Sequence, residues 1–318
     1  MVIGIDIGGT YTKFGFVSET GKLTCEGSVQ TDKHTKVEDF VGEICGKLLA
    51  HREKENYEIM GIGIGAPDAN YYTGAIQDAP NLIWRGHIDL SGLFKQHFDL
   101  PVAVTNDANA AALGELIYGN GKGMKHFIMI TLGTGLGSGF VVDGKVVYGH
   151  DGYAGELGHV IAVPDGRQCA CGKKGCLETY VSAPGIKRTL FELMATEIDN
   201  SELRSKSFHQ LTAKMICDAA TKGDSLALKA FEFTGKMLGM KLSDAVAHTS
   251  PEAIFLFGGL AEAGDLIFAP AKKYMEENLL YVFKNKVKIM PSALLHKNVA
   301  VLGAGALIWN ELKTSLKS

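Results

Sequence analysis

One imidazole and three thiols fall within a single short stretch, GELGHVIAVPDGRQCACGKKGCLET at 155–179, as His159, Cys169, Cys171 and Cys176. These are the ligand types Zn²⁺ prefers, and four of them close a tetrahedral structural site with no open position for chemistry. Three unrelated thiols on a glycine-rich loop would have a similar composition. The His-x9-Cys-x-Cys-x4-Cys arrangement, however, brings the ligand types as close in sequence as a metal loop requires. Carboxylates bracket the cluster, Glu156 before it and Glu178 after it. If the piece around Glu156 is helical, Glu156 and His159 face the same way, three residues apart. The stretch therefore predicts a metal that pins a loop presenting polar groups to a small molecule.

Two glycine turns suggest phosphate. In Asp6-Ile7-Gly8-Gly9-Thr10 a carboxylate stands at the end of an apolar run and two glycines follow. Backbone N–H groups in such a turn form an anion-binding concavity. Thr10 adds a hydroxyl, Lys13 a positive charge, and Asp6 can hold Mg²⁺ through water. A plain hairpin that needs glycine for its backbone would look the same. The second turn, TLGTGLGSG at 131–139, carries Gly133, Thr134, Gly135, Gly137 and Gly139 inside a strand pair. Each such glycine costs about 0.5–1 kcal/mol relative to alanine, so close approach of a ligand to the backbone is expected. No Gly-Lys-Ser/Thr follows, which excludes a Walker A loop. Two such turns suggest ATP in a cleft between two lobes, with Gly258 and Gly259 beside the adenosine.

Asn106-Asp107 closes an apolar run and opens an alanine-rich helix. Both residues are favoured helix N-caps. The helix N-terminus also favours negative charge, so a capping role leaves Asp107 ionised. An ionised carboxylate beside an amide that can orient a hydroxyl suits a general base for phosphoryl transfer to an alcohol.

These groups need a scaffold, and the patterning supplies one. VIGIDI (2–7) reads as a buried strand, paired through the glycine turn with a second near 12–18, and a third follows. A helix is expected over 36–54, with Val37, Phe40, Val41, Ile44, Leu48 and Leu49 at helical spacing. Further strands are expected at 59–67 and 101–107. Residues 127–149 repeat the opening layout of strand, glycine turn, strand and hairpin. Helices are expected at 183–196, 207–220, 225–249 and in the final VAVLGAGALIWNEL, and a strand at 253–260. Strands alternating with helices indicate an α/β class. The repeated layout indicates an internally duplicated, two-lobe fold. The first lobe spans 1–118, with a helix at about 300–318 packing back on it. The second spans 119–299 and carries the cysteine loop.

Composition narrows the class. The 318 residues are 46% hydrophobic and 21% charged, with a net charge of −3, which argues against a nucleic-acid-binding surface. No stretch reaches the roughly 18 uncharged apolar residues of a membrane span, and Asp6 interrupts any signal-like run. The six cysteines point to metal binding or free thiols rather than a disulfide framework; Cys25, Cys45 and Cys217 read as small core residues. A cytoplasmic protein without nucleic-acid or membrane partners is expected.

Taken together, DIGGTYTK (6–13), GIGAP (63–67), APNLIW (79–84), NDANAAALGE (106–115), TLGTGLGSG (131–139), GELGH (155–159) and CACGKKGCLE (169–178) resemble the ROK family of repressors, open reading frames and sugar kinases. The glucokinase-like members are the nearest match. The resemblance implies an actin-like, ribonuclease H-like two-lobe ATPase fold and ATP-dependent phosphorylation of a hexose, most simply glucose, at its 6-hydroxyl. An N-acetylhexosamine or fructose is the alternative substrate. It implies Asp107 as the base and Asn81, Asn106, Glu156, His159 and Glu178 as contacts to sugar hydroxyls. The loop around Ala66 and Pro67 approaches the sugar, and the two glycine turns hold ATP. His159, Cys169, Cys171 and Cys176 would ligate a structural Zn²⁺, and Mg²⁺ would accompany the nucleotide. The family also suggests a homodimer. Its repressors carry a helix-turn-helix ahead of the first strand, for which this sequence leaves no room. Where many members have glycine after Ala-Pro, this chain has Asp68, which bears on the choice of sugar.

Overall fold

The computed structural model describes residues 1–294 and 298–315. The chain divides into two units. The first comprises Met1–Met124, Gly144–Gly155 and the described part of His296–Ser318. The second comprises Lys125–Asp143 and the described part of Glu156–Leu295. The repeated layout of the sequence places residues 119–124 and 144–155 in the second lobe. Residues 144–155 pack instead in the first unit, where Tyr148 stacks on Tyr71 with ring centroids 3.9 Å apart.

The first unit is built on a five-stranded sheet, ordered β3-β2-β1-β4-β7. Its strands are β1 (Val2–Ile7), β2 (Tyr11–Val17), β3 (Leu23–Gln30), β4 (Ile62–Ala66) and β7 (Val102–Asn106). A small hairpin, β5 (Ile76–Gln77) and β6 (His87–Ile88), lies apart from it. β1, β2 and β3 form an antiparallel meander, whereas β1, β4 and β7 run parallel. Alternation along β1 sends Ile3, Ile5 and Ile7 to one face. There they join Phe14, Phe16 and the apolar side of α1 (Val37–Glu55), with Phe40, Ile44 and Leu48 fully buried. The short α2 (Leu90–Lys95) completes that side and is capped by Asp89.

The opposite face explains two strand glycines. A Cβ on Gly4 would strike the carbonyl of Val301, and one on Gly63 that of Ala304. Both carbonyls belong to α8 (Val299–Ser315), so the C-terminal helix lies directly on β1 and β4. Residues 316–318 of the expected helix lie outside the described residues. α3 (Asp107–Tyr118) packs against α8 through Gly303, whose Cβ would meet the Ala110 carbonyl.

The second unit is built on the sheet β9-β8-β11-β12. Its strands are β8 (Phe127–Leu132), β9 (Leu136–Val142), β11 (Ala253–Phe257) and β12 (Lys288–Pro291); the short β10 (Lys145–Val146) follows β9 in sequence and falls in residues 144–155 of the first unit. Positive φ at Asp143 and Gly144 fits the expected two-residue hairpin turn between β9 and β10. Around this sheet lie α4 (Ala183–Thr196), α5 (Ala213–Thr221), α6 (Ser225–Thr249) and α7 (Asp265–Asn278). α6 and α7 pack closely because Gly235 and Gly239 face Pro270, Ala271 and Met275.

Two boundaries differ from expectation. α5 starts at Ala213 rather than 207, because residues 207–210 form a turn and the Thr212 hydroxyl caps the helix. β11 stops at Phe257, since Gly258 adopts φ +100. Cys45 is a core residue as expected, but Cys25 and Cys217 are only partly buried; all six cysteines are free thiols. Among the described residues, no helix is long and apolar enough to cross a membrane.

Candidate active site

In the first unit three parallel strands end side by side, and chemistry-bearing residues stand at those ends. Asp6 of β1 is in register with Gly65 of β4, and Ala66 of β4 with Asn106 of β7. Ligands of such sheets bind beyond the carboxyl ends of the strands. Asp107 follows Asn106 as the first residue of α3, and the Asn106 side chain accepts a hydrogen bond from the Ala108 N–H at 2.8 Å. Asp107 Oδ1 accepts from the same N–H at 2.8 Å. Asn106 and Asp107 thus share the capping of the Ala108 N–H.

Asp107 is exposed to solvent, and the protein mass around it still replaces part of the water that would solvate its charge. That loss of solvation pushes its pKa up; the Asp68 charge adds to the rise, against the Ala108 hydrogen bond. Asp6 is raised to about 7 by burial and by the charge of Asp107, with Lys13 opposing. Lys13 sits opposite Asp6 in the β1–β2 ladder. A carboxylate with a raised pKa is a stronger base than an ordinary aspartate.

The loop after β4 carries Pro67 and Asp68. Asp68 adopts φ +50, a left-handed conformation that glycine takes freely and Asp tolerates. This accounts for an aspartate standing where the family often has glycine. The turn at Gly8 and Gly9 is tight against protein. A Cβ on Gly8 would meet the Tyr11 carbonyl at 2.7 Å, and one on Gly9 would strike the Asn81 carbonyl. Asn81 itself is exposed, as are Thr10 and Lys13.

The second unit gathers the other sequence-selected residues. The turn between β8 and β9 contains Gly133, Thr134 and Gly135, and Gly137 pairs with Thr131. Gly258 lies against the backbone of Leu132, and the Leu260 N–H donates to the Leu132 carbonyl at 3.2 Å. The two glycine segments are thus neighbours at the ends of parallel strands β8 and β11. A Cβ at Gly133 or Gly259 would meet nothing within 4 Å, so those backbones are open to a ligand.

Glu178 ties this turn to the cysteine loop. Its Oε2 accepts from the Leu136 N–H at 2.9 Å, and its Oε1 lies 3.9 Å from Cys169 Sγ. A Cβ on Gly135 would come 2.5 Å from Oε2. Leu157–His159 form one 3-10 turn in which the His159 N–H donates to the Glu156 carbonyl. The turn docks on β9 through the Leu157 N–H, bonded to the Ser138 hydroxyl at 3.1 Å.

The ligand atoms of His159, Cys169, Cys171 and Cys176 all lie within 4.8 Å of one another. Cys171 Sγ is 3.6 Å from Cys176 Sγ, and Cys169 Sγ is 3.7 Å from His159 Nδ1. A tetrahedron with metal–sulfur bonds of about 2.3 Å has edges near that length. The donor set and spacing fit a Zn²⁺ ion.

Sequence reasoning missed the residues that hold this loop. Arg167, two residues before Cys169, bonds Glu192, Thr189 and the carbonyls of Thr179 and Gly185, and lies over the Tyr180 ring. Nothing in its local pattern distinguishes it from a surface arginine. Asn70, Tyr71 and Tyr148 were missed for the same reason.

The model of the ROK family matches residues 2–311. The glucokinase of Halalkalibacterium halodurans is 35% identical over 312 residues, covering 96% of this chain and 94% of that protein. The glucokinase of Thermotoga maritima is 32% identical, with 96% of each covered. Among solved structures, a ROK family glucokinase from Streptomyces griseus in complex with glucose and AMPPNP is 33% identical. That alignment covers 95% of this chain and 97% of the other, with a TM-score of 0.81.

Proposed function

This chain belongs to the ROK family, and from that premise we propose that it is an ATP-dependent hexose kinase, with glucose as the substrate. The observation that carries the reading is Asp107, an exposed carboxylate with a raised pKa at the joint of β7 and α3, beside the side chain of Asn106. Asp107 takes the proton of the hexose 6-hydroxyl. The hydroxyl oxygen forms its bond to the γ-phosphorus of ATP, and the bond from that phosphorus to the bridging oxygen breaks to leave ADP. The reaction is one of positioning and charge neutralisation, with the base contributing about 10²–10⁴-fold.

Asn81, Asn106, Glu156, His159 and Glu178 bind the ring hydroxyls, and Ala66 and Pro67 border them. The phosphates of ATP lie against the backbones of Gly8 and Gly9 and of Gly133, Thr134, Gly135 and Gly137, with Thr10 and Lys13 contributing side chains. Gly258 and Gly259 lie beside the nucleoside. Mg²⁺ would accompany the nucleotide, with Asp6 able to hold it through water, and would supply charge neutralisation of the phosphates. Zn²⁺ would be held by His159, Cys169, Cys171 and Cys176 and would supply rigidity to the loop, not chemistry. Glu178 serves the site partly through structure, because one of its oxygens holds the Leu136 N–H.

The test is ADP release measured over a panel of sugars. Glucose is expected to give the highest kcat/KM and to be required for ATP turnover. Comparable turnover of N-acetylglucosamine, N-acetylmannosamine or fructose with none of glucose would replace the substrate and keep the chemistry. Sugar-independent ATP hydrolysis would remove the kinase reading.

A further inference from the structure

Residues 144–155 run as a strap through the first unit and lead directly into Glu156. The strap is held by three consecutive residues, Asn70, Tyr71 and Tyr72, of the loop that also carries Asp68. Asn70 is 3% exposed and all its polar atoms are engaged. Its Oδ1 accepts from the N–H groups of Tyr72 at 2.9 Å and Thr73 at 3.2 Å, which shapes its own loop. Its Nδ2 donates to the Asp151 carbonyl of the strap at 2.6 Å.

The docking is close. Gly152 adopts φ +90, and a Cβ there would come within 2.5–2.8 Å of the Asn70 amide, so only glycine fits. The Tyr72 hydroxyl donates to the Gly149 carbonyl at 2.9 Å. Tyr71 and Tyr148 stack almost parallel, 3° apart in plane, and the Tyr71 hydroxyl donates to Glu311 of α8 at 2.8 Å. The strap also closes on itself, with the Ala154 N–H donating to the Tyr148 carbonyl at 3.1 Å.

We propose that Asn70 is a positioning residue for the hexose: its tie to the Asp151 carbonyl fixes where the strap ends, and thereby where Glu156 begins its contact with the sugar. The proposal rests on Glu156 binding the hexose, as argued above. Asn70 touches no reacting atom in this scheme and acts through Glu156.

Asn70→Asp keeps the acceptor that shapes the loop and replaces the donor with a group that repels the Asp151 carbonyl. Its hexose KM should rise about tenfold, with kcat and the KM for ATP within about threefold of the parent, the signature of lost substrate binding. The same substitution in a Glu156→Gln background is the deciding arm, since residues that act together are not additive. There the Asn70→Asp factor should shrink to about twofold. Tyr72→Phe, which removes one exposed hydroxyl, should follow the same pattern at about two- to threefold and carries the test if the Asn70 variant does not fold.

An Asn70→Asp factor on hexose KM that is equal in both backgrounds, or absent, overturns the proposal while leaving the site reading intact. If Glu156→Gln alone leaves hexose KM unchanged, the site reading falls and this proposal falls with it.

Discussion

The two units share one frame and use it differently. Each places an antiparallel hairpin beside two parallel strands, in the order β2-β1-β4-β7 in one and β9-β8-β11-β12 in the other. In each, the first hairpin turns through glycine. Yet the glycines answer different demands. Gly8 and Gly9 are small because the Tyr11 and Asn81 carbonyls press on them, and Gly135 because Glu178 does. Gly133 and Gly259 face open space. A glycine explained by neighbouring protein gives no evidence of a ligand, whereas one that the protein leaves unexplained does. The strand ends differ too. Those of the first unit bear Asp6 and Asp107, while Thr131 of β8 stands in the second unit where Asp6 stands in the first. On the proposed reading, the proton acceptor belongs to the first unit, and the second offers the more open backbone to an anion.

Removing the base is the most severe way to test that division. Asp107→Asn keeps the size and the capping oxygen and abolishes proton acceptance. It should lower kcat by about 10²–10⁴-fold while leaving hexose KM nearly unchanged. Steady-state kinetics with the accepted sugar check it, and a near-normal kcat would take the base role away from Asp107. Next in size is the cysteine loop of the second unit. Cys171→Ser, or exhaustive chelation, should raise hexose KM by about tenfold or more, because loss of the ion frees the segment that presents His159 and Glu178. Elemental analysis of freshly purified protein should find zinc, and its absence there would overturn the metal assignment.

A paired substitution bears directly on the two glycine turns. Gly133→Ala adds a methyl group where the protein leaves room, so the Tm should hold or rise slightly through reduced chain entropy. Its KM for ATP should rise several-fold if phosphate occupies that space. Gly9→Ala should instead lower the Tm by a few degrees, because the Asn81 backbone must give way at a cost of about 1–3 kcal/mol. Equal Tm losses in the two variants, with no change in the KM for ATP, would erase the contrast between the turns.

What could be read in the sequence follows from where the information lies. Alternation in VIGIDI and helical spacing from Val37 to Leu49 are local signals imposed by burial, and β1 and α1 formed there. The Cys/His loop was legible because its ligand types and spacing are themselves the chemistry, and the four side chains converge. α7 and β12 gave no clear signal: Pro270 interrupts the helix pattern, and the helix is retained by packing on Gly235 and Gly239 of α6. The anchoring residues were illegible for a different reason. Asn70 sits in a polar run that reads as an ordinary turn, and its partner Asp151 lies 81 positions away. Arg167 likewise reads as a surface charge until Glu192 and the Thr179 and Gly185 carbonyls surround it.

The smallest expected effect concerns Asp6, whose neighbourhood most clearly separates the acidic unit from the other. An ordinary aspartate titrates near 3.8, and burial with the nearby Asp107 charge raises Asp6 to about 7. Between those values the folded chain retains a proton that the unfolded chain has released. Stability linked to Asp6 is therefore full below the lower value, falls as pH rises through the window and stays reduced above it. Asn cannot ionise, so Asp6→Asn should remove that slope. Thermal unfolding should show the variant gaining on the parent by a few degrees at about pH 8 and by roughly a third as much at about pH 5. Lys13→Gln should extend the parent's fall in stability to higher pH, since Lys13 is the charge that opposes the rise. If Asp6→Asn shifts the Tm equally at both pH values, Asp6 is already ionised across the window and the carboxylates of the first unit do not repel one another as described.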